Sequence, residues 1–173
     1  MGGIVLNYKI EKMGEFTVIG FEKTIKNKTA FKDCPAFWGE FTKSYMQPIM
    51  ERGKPETEIK KAVFDNCIGE YGVCVCEGND SFRYIIAGQY KGGEVPDGMM
   101  LYTFPELDWV KFTTKGAMPK AIQELNNQIF SEFMPSHPEI ELAMIANIEW
   151  YSQGDTNSAD YKSGILIPVK INN

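Results

Sequence analysis

Pro35-Ala36-Phe37-Trp38-Gly39-Glu40-Phe41-Thr42-Lys43-Ser44-Tyr45 and Pro119-Lys120-Ala121-Ile122-Gln123-Glu124-Leu125-Asn126-Asn127-Gln128-Ile129 together decide the fold. Both begin on proline, which suits the first turn of a helix. Laid on one another, they match Trp38 with Ile122, Glu40 with Glu124, Phe41 with Leu125 and Tyr45 with Ile129. Apolar residues return at helical spacing in each. In the first they are Phe37, Trp38, Phe41, Tyr45 and Met46; in the second, Ile122, Leu125, Ile129 and Phe130. The first helix is expected to open at Asp33-Cys34-Pro35 and run to about Met50, and the second to open at Met118-Pro119.

Strands flank both helices. Phe16 to Phe21 precedes the first helix. Tyr71 to Cys76 and Phe82 to Tyr90 follow it, joined by the turn Glu77-Gly78-Asn79-Asp80. Around the second helix stand Trp109 to Thr114, Ala143 to Tyr151 and Tyr161 to Val169. Pairing Gly78 with Gly154 also pairs Gly88 with Gly164. The order strand, helix, strand, strand therefore occurs twice, in a first repeat of about 8–90 and a second of about 107–170, with a Gly/Pro-rich linker at 91–98. Neither half has enough apolar surface to fold alone. The expected architecture is a single α+β domain over 1–173, with duplicated βαββ units forming a joint antiparallel sheet with two main helices about a pseudo-twofold axis. Such a junction favours a ligand groove.

Composition narrows the function. A net charge of −5 without any cluster of Lys and Arg argues against direct nucleic-acid binding. No apolar run approaches the ~20 residues of a membrane span. Met1-Gly2-Gly3-Ile4-Val5-Leu6 lacks the basic and apolar regions of a signal peptide, and Leu6 stands where a myristoylation site wants Ser or Thr. A cytoplasmic location is expected. Cys34, Cys67, Cys74 and Cys76 form no CxxC pair and read as buried reduced thiols. The single histidine, His137, cannot build a histidine metal cluster. No metal and no cofactor is expected.

Several motifs carry a family resemblance: Phe16-Thr17-Val18-Ile19-Gly20, Pro35 to Phe41, Phe112-Thr113-Thr114-Lys115-Gly116 with Met118-Pro119, Ile148-Glu149-Trp150-Tyr151, and Ile165-Leu166-Ile167-Pro168-Val169-Lys170. In this order the chain resembles the gyrase-inhibitor-like small-molecule-binding domain, the effector-binding domain of AraC-type and multidrug-sensing MerR-type regulators. The resemblance runs from about Tyr8 to Lys170 and implies a duplicated βαββ fold. It implies binding of bulky lipophilic, often cationic compounds, with a cation-binding glutamate at Glu149. Regulators of this kind carry a helix-turn-helix beside the domain. With the first strand near Tyr8 and the last near Val169, the expectation here is a stand-alone domain.

Period-two alternation through Ile148-Glu149-Trp150-Tyr151 sets Glu149 and Tyr151 on one strand face and Ile148 and Trp150 on the other. With Gly78 matched to Gly154, Glu149 corresponds to Val73, so a carboxylate stands where the sister unit is apolar. A buried charge is costly and is commonly kept for function; a solvent-facing Glu149 paired with Lys111, Lys115 or Arg83 would be the structural alternative. Trp38, Tyr71, Trp109, Phe112, Trp150 and Tyr151 lie in elements expected to meet, and could stack on a flat cation. Met100, with Met99, follows the linker and suits an adaptable pocket. Three functions fit. The first is binding, for sequestration or sensing, of a lipophilic and cationic small molecule. The alternative is hydrolysis of strained cyclopropane-type toxins, known among stand-alone members of the resembled family, with Glu149 as acid or base and Tyr151 or Tyr71 as proton donor. The third is a protein-interaction or gyrase-modulating module. An exposed edge strand would offer a route to a homodimer.

Overall fold

The computed structural model describes residues 5–173; Met1 to Ile4, on which part of the reading of the N-terminus rests, lie outside the described residues. The chain is α+β with antiparallel strands and divides into two compact units. One spans Phe16–Phe104. The other joins the segment up to Glu15 with Pro105–Asn173. Strands are β1 (Asn7–Met13), β2 (Phe16–Lys26), β3 (Tyr71–Cys76), β4 (Ser81–Gln89), β5 (Met100–Phe104), β6 (Leu107–Lys115), β7 (Ile140–Leu142), β8 (Ala146–Tyr151) and β9 (Lys162–Ile171).

In the Phe16–Phe104 unit the strand order is β3-β4-β2-β5. Helices α1 (Ala30–Phe41), α2 (Gln47–Arg52) and α3 (Glu58–Asp65) cover one face, with a π-helical turn at Thr42–Met46 joining the first two. Ile19, Tyr84 and Ile86 of the sheet pack with Phe41, Ile49 and Val63 of the helices. The expected apolar stripe Phe37, Trp38, Phe41, Tyr45 and Met46 all joins this core. The helix begins before the predicted Asp33, at Ala30, so Pro35 lies inside it rather than in its first turn. Its missing N–H would have reached the Phe31 carbonyl. Thr29 donates to the Asp33 carboxylate at 2.5 Å and fastens the helix start instead.

In the other unit the order is β1-β6-β9-β8, and β7 also pairs with β9. Helix α4 (Lys120–Gln128), a π-helical turn at Ile129–Phe133 and α5 (Met134–Ser136) cover one face. Ile122, Leu125, Ile129 and Phe133 pack on Val110, Phe112, Ile165 and Ile167. Phe130, predicted on the apolar stripe, is 43% exposed. It stands one residue beyond Ile129, about 100° around the helix, and Phe133 takes the inward place.

Each unit thus contains a βαββ core plus one strand from outside it. β1 lies within the first sequence repeat but pairs with β6; β5 follows the linker but pairs with β2. The glycine pairing that aligned the repeats needs correction. Gly88 opposes Ile19 on the helix-covered face, whereas Gly164 sits under Trp150 on the face away from the helix. Residues 77–80 join β3 to β4, but 152–161 join β8 to β9, so the turn glycines are not equivalent. Counted from the start of each second hairpin strand, Tyr84 matches Ile165, and their partners Cys74 and Glu149 match in turn. The counterpart of Glu149 is Cys74 rather than Val73, because a shift of one residue exchanges the faces of a strand.

None of the four cysteines forms a disulfide, but none is buried: Cys34, Cys67 and Cys74 are half-buried and Cys76 is exposed. Cys76 ends β3 beside the hairpin turn, whereas Cys74 packs against the helix-side core. No helix among the described residues is long and apolar enough to cross a membrane.

A carboxylate and a phenol on one strand face

β8 forms a ladder with β9 in which Glu149 opposes Ile165 and Tyr151 opposes Ser163. Ile165 belongs to the core beneath α4, so Glu149 and Tyr151 emerge on the helix-covered face of the sheet. Both are half-buried. The Tyr151 hydroxyl donates to Glu149 Oε2 at 2.6 Å, a length expected of a hydrogen bond to an ionised acceptor. Two turns of the same alternation bring in groups that sequence reasoning missed. Asn147 precedes Glu149 on its face, and its Oδ1 is buried without a hydrogen-bond partner among the described residues. Ser163 is fully buried opposite Tyr151, and its Oγ likewise has none. Period-two spacing could have found Asn147; Ser163 needed the strand register.

Two of the candidates for pairing Glu149, Lys111 and Arg83, are engaged elsewhere. The Lys111 ammonium lies 5.3 Å from the Trp150 ring centroid, on the opposite sheet face. Arg83 bridges Glu22 and Glu77, at 2.7 Å to Glu77, and holds its proton more firmly through hydrogen bonds to Glu22 and then Glu77.

The remaining predicted site residues separate by face. Phe112 shares the Glu149 row, two strands away or about 10 Å, but it is fully buried under the helix, tilted against Tyr8 and edge-on to Phe133. Trp109 is also fully buried, and its strand position puts it on the sheet face away from the helix. Trp150 lies on that face too, close against Gly164, with its indole N–H donating to the Phe112 carbonyl at 3.3 Å. In the Phe16–Phe104 unit, Trp38 stands on the helix-covered side and donates to the Tyr84 hydroxyl at 2.8 Å. Tyr71 and Met100 fall on the other side of that sheet, where Tyr71 opposes Ala87 and Met100 opposes Gly20. Burial raises the Tyr71 phenol above its ordinary value. Of the predicted set, the structure joins Glu149 and Tyr151 in direct contact. Among the described residues no group of three or more His, Cys, Asp or Glu side chains could hold a metal.

Two βαββ units, each with helices on one sheet face, give the fold of the gyrase-inhibitor-like effector-binding domains. More narrowly, the chain belongs to the integron-associated effector binding protein family, Cass2, whose model matches residues 9–169. Solved structures agree in fold. SAV2435 bound to tetraphenylphosphonium superposes with a TM-score of 0.73 at 23% identity, covering 95% of this chain and 94% of that one. The integron cassette protein VCH_CASS2 from the mobile metagenome of Vibrio cholerae gives 0.57 at 16%, covering 95% of its own chain and 94% of this one. The C-terminal domain of EcmrR gives 0.55 at 14%, with 97% and 99% covered. No curated protein matches the chain.

Proposed function

We propose that this effector-binding domain takes a lipophilic cation, with Glu149 as its countercharge and the Tyr151 ring as a contact surface. The observation that carries the proposal is the 2.6 Å Tyr151–Glu149 hydrogen bond on a helix-covered strand face. That bond holds a carboxylate in a fixed rotamer next to core residues such as Ile165. A fixed charge in half-buried surroundings attracts a cation more strongly than one in open water. The phenol beside it can face a cation or an aromatic group of the ligand. SAV2435, which shares the fold, was solved with tetraphenylphosphonium, and this supports the same ligand class here.

A permanent cation such as a tetraaryl phosphonium suits the site because it cannot lose its charge on desolvation. The test is a fluorescence titration of the whole chain with a tetraaryl phosphonium and with a neutral analogue of the same shape. The cation is expected to bind at least about tenfold more tightly, or ~1.4 kcal/mol. Equal affinities would remove the countercharge role. A cytoplasmic location belongs to the same proposal, since four cysteines without a disulfide suit a reducing compartment.

A further inference from the structure

β1 pairs with β6 on one side, and among the described residues no strand occupies its other side. An open strand edge presents unpaired N–H and C=O groups that can template pairing with another strand. Edges are commonly blunted by charge, and β1 carries Lys9, Glu11 and Lys12. Here, however, the charges are arranged to complement themselves. Lys9 and Glu11 share the face away from the helices, opposite Lys111 and Trp109 of β6. Tyr8, Ile10 and Lys12 share the helix-covered face. Tyr8 and Ile10 are 41% and 42% exposed, which is unusual for large apolar side chains on a sheet.

We propose that β1 pairs antiparallel with β1 of a second copy of the chain, about a twofold axis at Ile10. This register sets Lys9 of each copy against Glu11 of the other. On the opposite face it sets Ile10 against Ile10 and Tyr8 against Lys12, so the exposed apolar surface is covered from both sides. Cross-strand pairs of opposite charge stabilise antiparallel ladders, and like charges directly opposite destabilise them. The register is specified as well as permitted. The smallest shift that preserves the faces sets Lys9 against Lys9 or Glu11 against Glu11. Lys9 already has Lys111 directly opposite on β6, so a second copy's Glu11 offsets an existing like-charge contact. The present Lys9–Glu11 ion pair, 3.1 Å within one strand, is exposed and can be exchanged without leaving either charge unpaired. β5, the open edge of the other unit, has no charged residue to set a register.

One strand pair is small beside the ~1,600 Å² of a standard interface, so association is expected at high rather than low micromolar protein. Sedimentation velocity of the full chain should show the mass rising from 19.6 kDa toward twice that value with concentration. Lys9→Glu alone and Glu11→Lys alone should each stay monomeric, since each opposes like charges across the axis. An equimolar mixture of the two should recover the dimer, because each then faces its complement. In a Cys76→Ser background, which removes the exposed native thiol, Ile10→Cys should form a disulfide-linked dimer under mild oxidation. All these positions are exposed or on the edge, so thermal unfolding should be nearly unchanged and reports folding directly. A mass constant across concentration overturns the proposal. So does Lys9→Glu dimerising as the parent does, or a dimer that Ile10→Cys fails to cross-link.

Discussion

Gly164→Ala should destabilise the protein more than any other single methyl addition on β9. Gly164 is buried in the middle of the strand, between β6 and β8. A Cβ there would come 2.0 Å from the Phe112 carbonyl oxygen and 2.3 Å from the Trp150 Nε1. The indole is a side chain and can tilt; the carbonyl is backbone and cannot move without disturbing the β6–β9 ladder. Overpacking a tight site typically costs ~1–3 kcal/mol, and a backbone obstacle puts this case near 3. For a chain of this size that lowers Tm by roughly 6–12 °C. Urea unfolding followed by tryptophan emission measures both the loss and the displacement of Trp150. A double-mutant cycle with Trp150→Ala should recover only part of the cost, because the Phe112 carbonyl remains. A Gly164→Ala loss within ~0.5 kcal/mol would refute the close packing of Trp150 on β9.

Three further outcomes follow from other parts of the molecule. Asn66 is buried; its amide donates to the Ala62 carbonyl at 3.0 Å and accepts from the Lys91 N–H at 2.9 Å. Asn66→Ala should cost about 2 kcal/mol and speed hydrogen exchange at the Lys91 amide. Thr57 caps α3 by accepting from the Lys60 N–H, so Thr57→Ala should cost about 1 kcal/mol in urea midpoint. Burial raises the phenol pKa of Tyr71, Tyr102 and Tyr161. The folded state therefore keeps these protons to higher pH than the unfolded chain. Stability should hold up to the unfolded phenol value of about 10 and fall as pH rises beyond it, and Tyr71→Phe should flatten that decline in urea titrations at alkaline pH.

The βαββ order was legible because its signals are local. Helical stripes such as Ile122, Leu125 and Ile129, and a strand as β-rich as Tyr71–Cys76, announce themselves within one window. The pieces that were missed have weak or non-local signals. α3 has only Ile59, Ala62 and Val63 facing inward, over two turns, and Thr57 lacks the glutamate that would complete a capping box. β5 reads as methionines after a linker until its pairing with β2 is known. The exchange of β1 and β5 between the units is a matter of long-range pairing, which no short window contains. For the site, alternation alone placed Glu149 and Tyr151 on one face, and their hydrogen bond bears this out. The comparison with Val73 failed because the unequal hairpin loops moved the register by one. The aromatics could not be sorted by residue type, because Trp109 and Phe112 have the same composition signal as ligand-facing rings and differ only in burial.

The central claim is that Glu149 supplies a countercharge to a bound cation, and Glu149→Gln tests it most directly because the side chain keeps its size and can still accept from Tyr151. A unit charge about 4 Å from a carboxylate at a protein surface interacts by roughly 4 kcal/mol before desolvation is subtracted, which leaves a loss on the order of 1.4–2.8 kcal/mol. Isothermal titration with a tetraaryl phosphonium should therefore show affinity falling by about 10- to 100-fold, while a neutral analogue of the same shape binds as before. An equal loss for both ligands, or an undiminished affinity for the cation, would contradict the account.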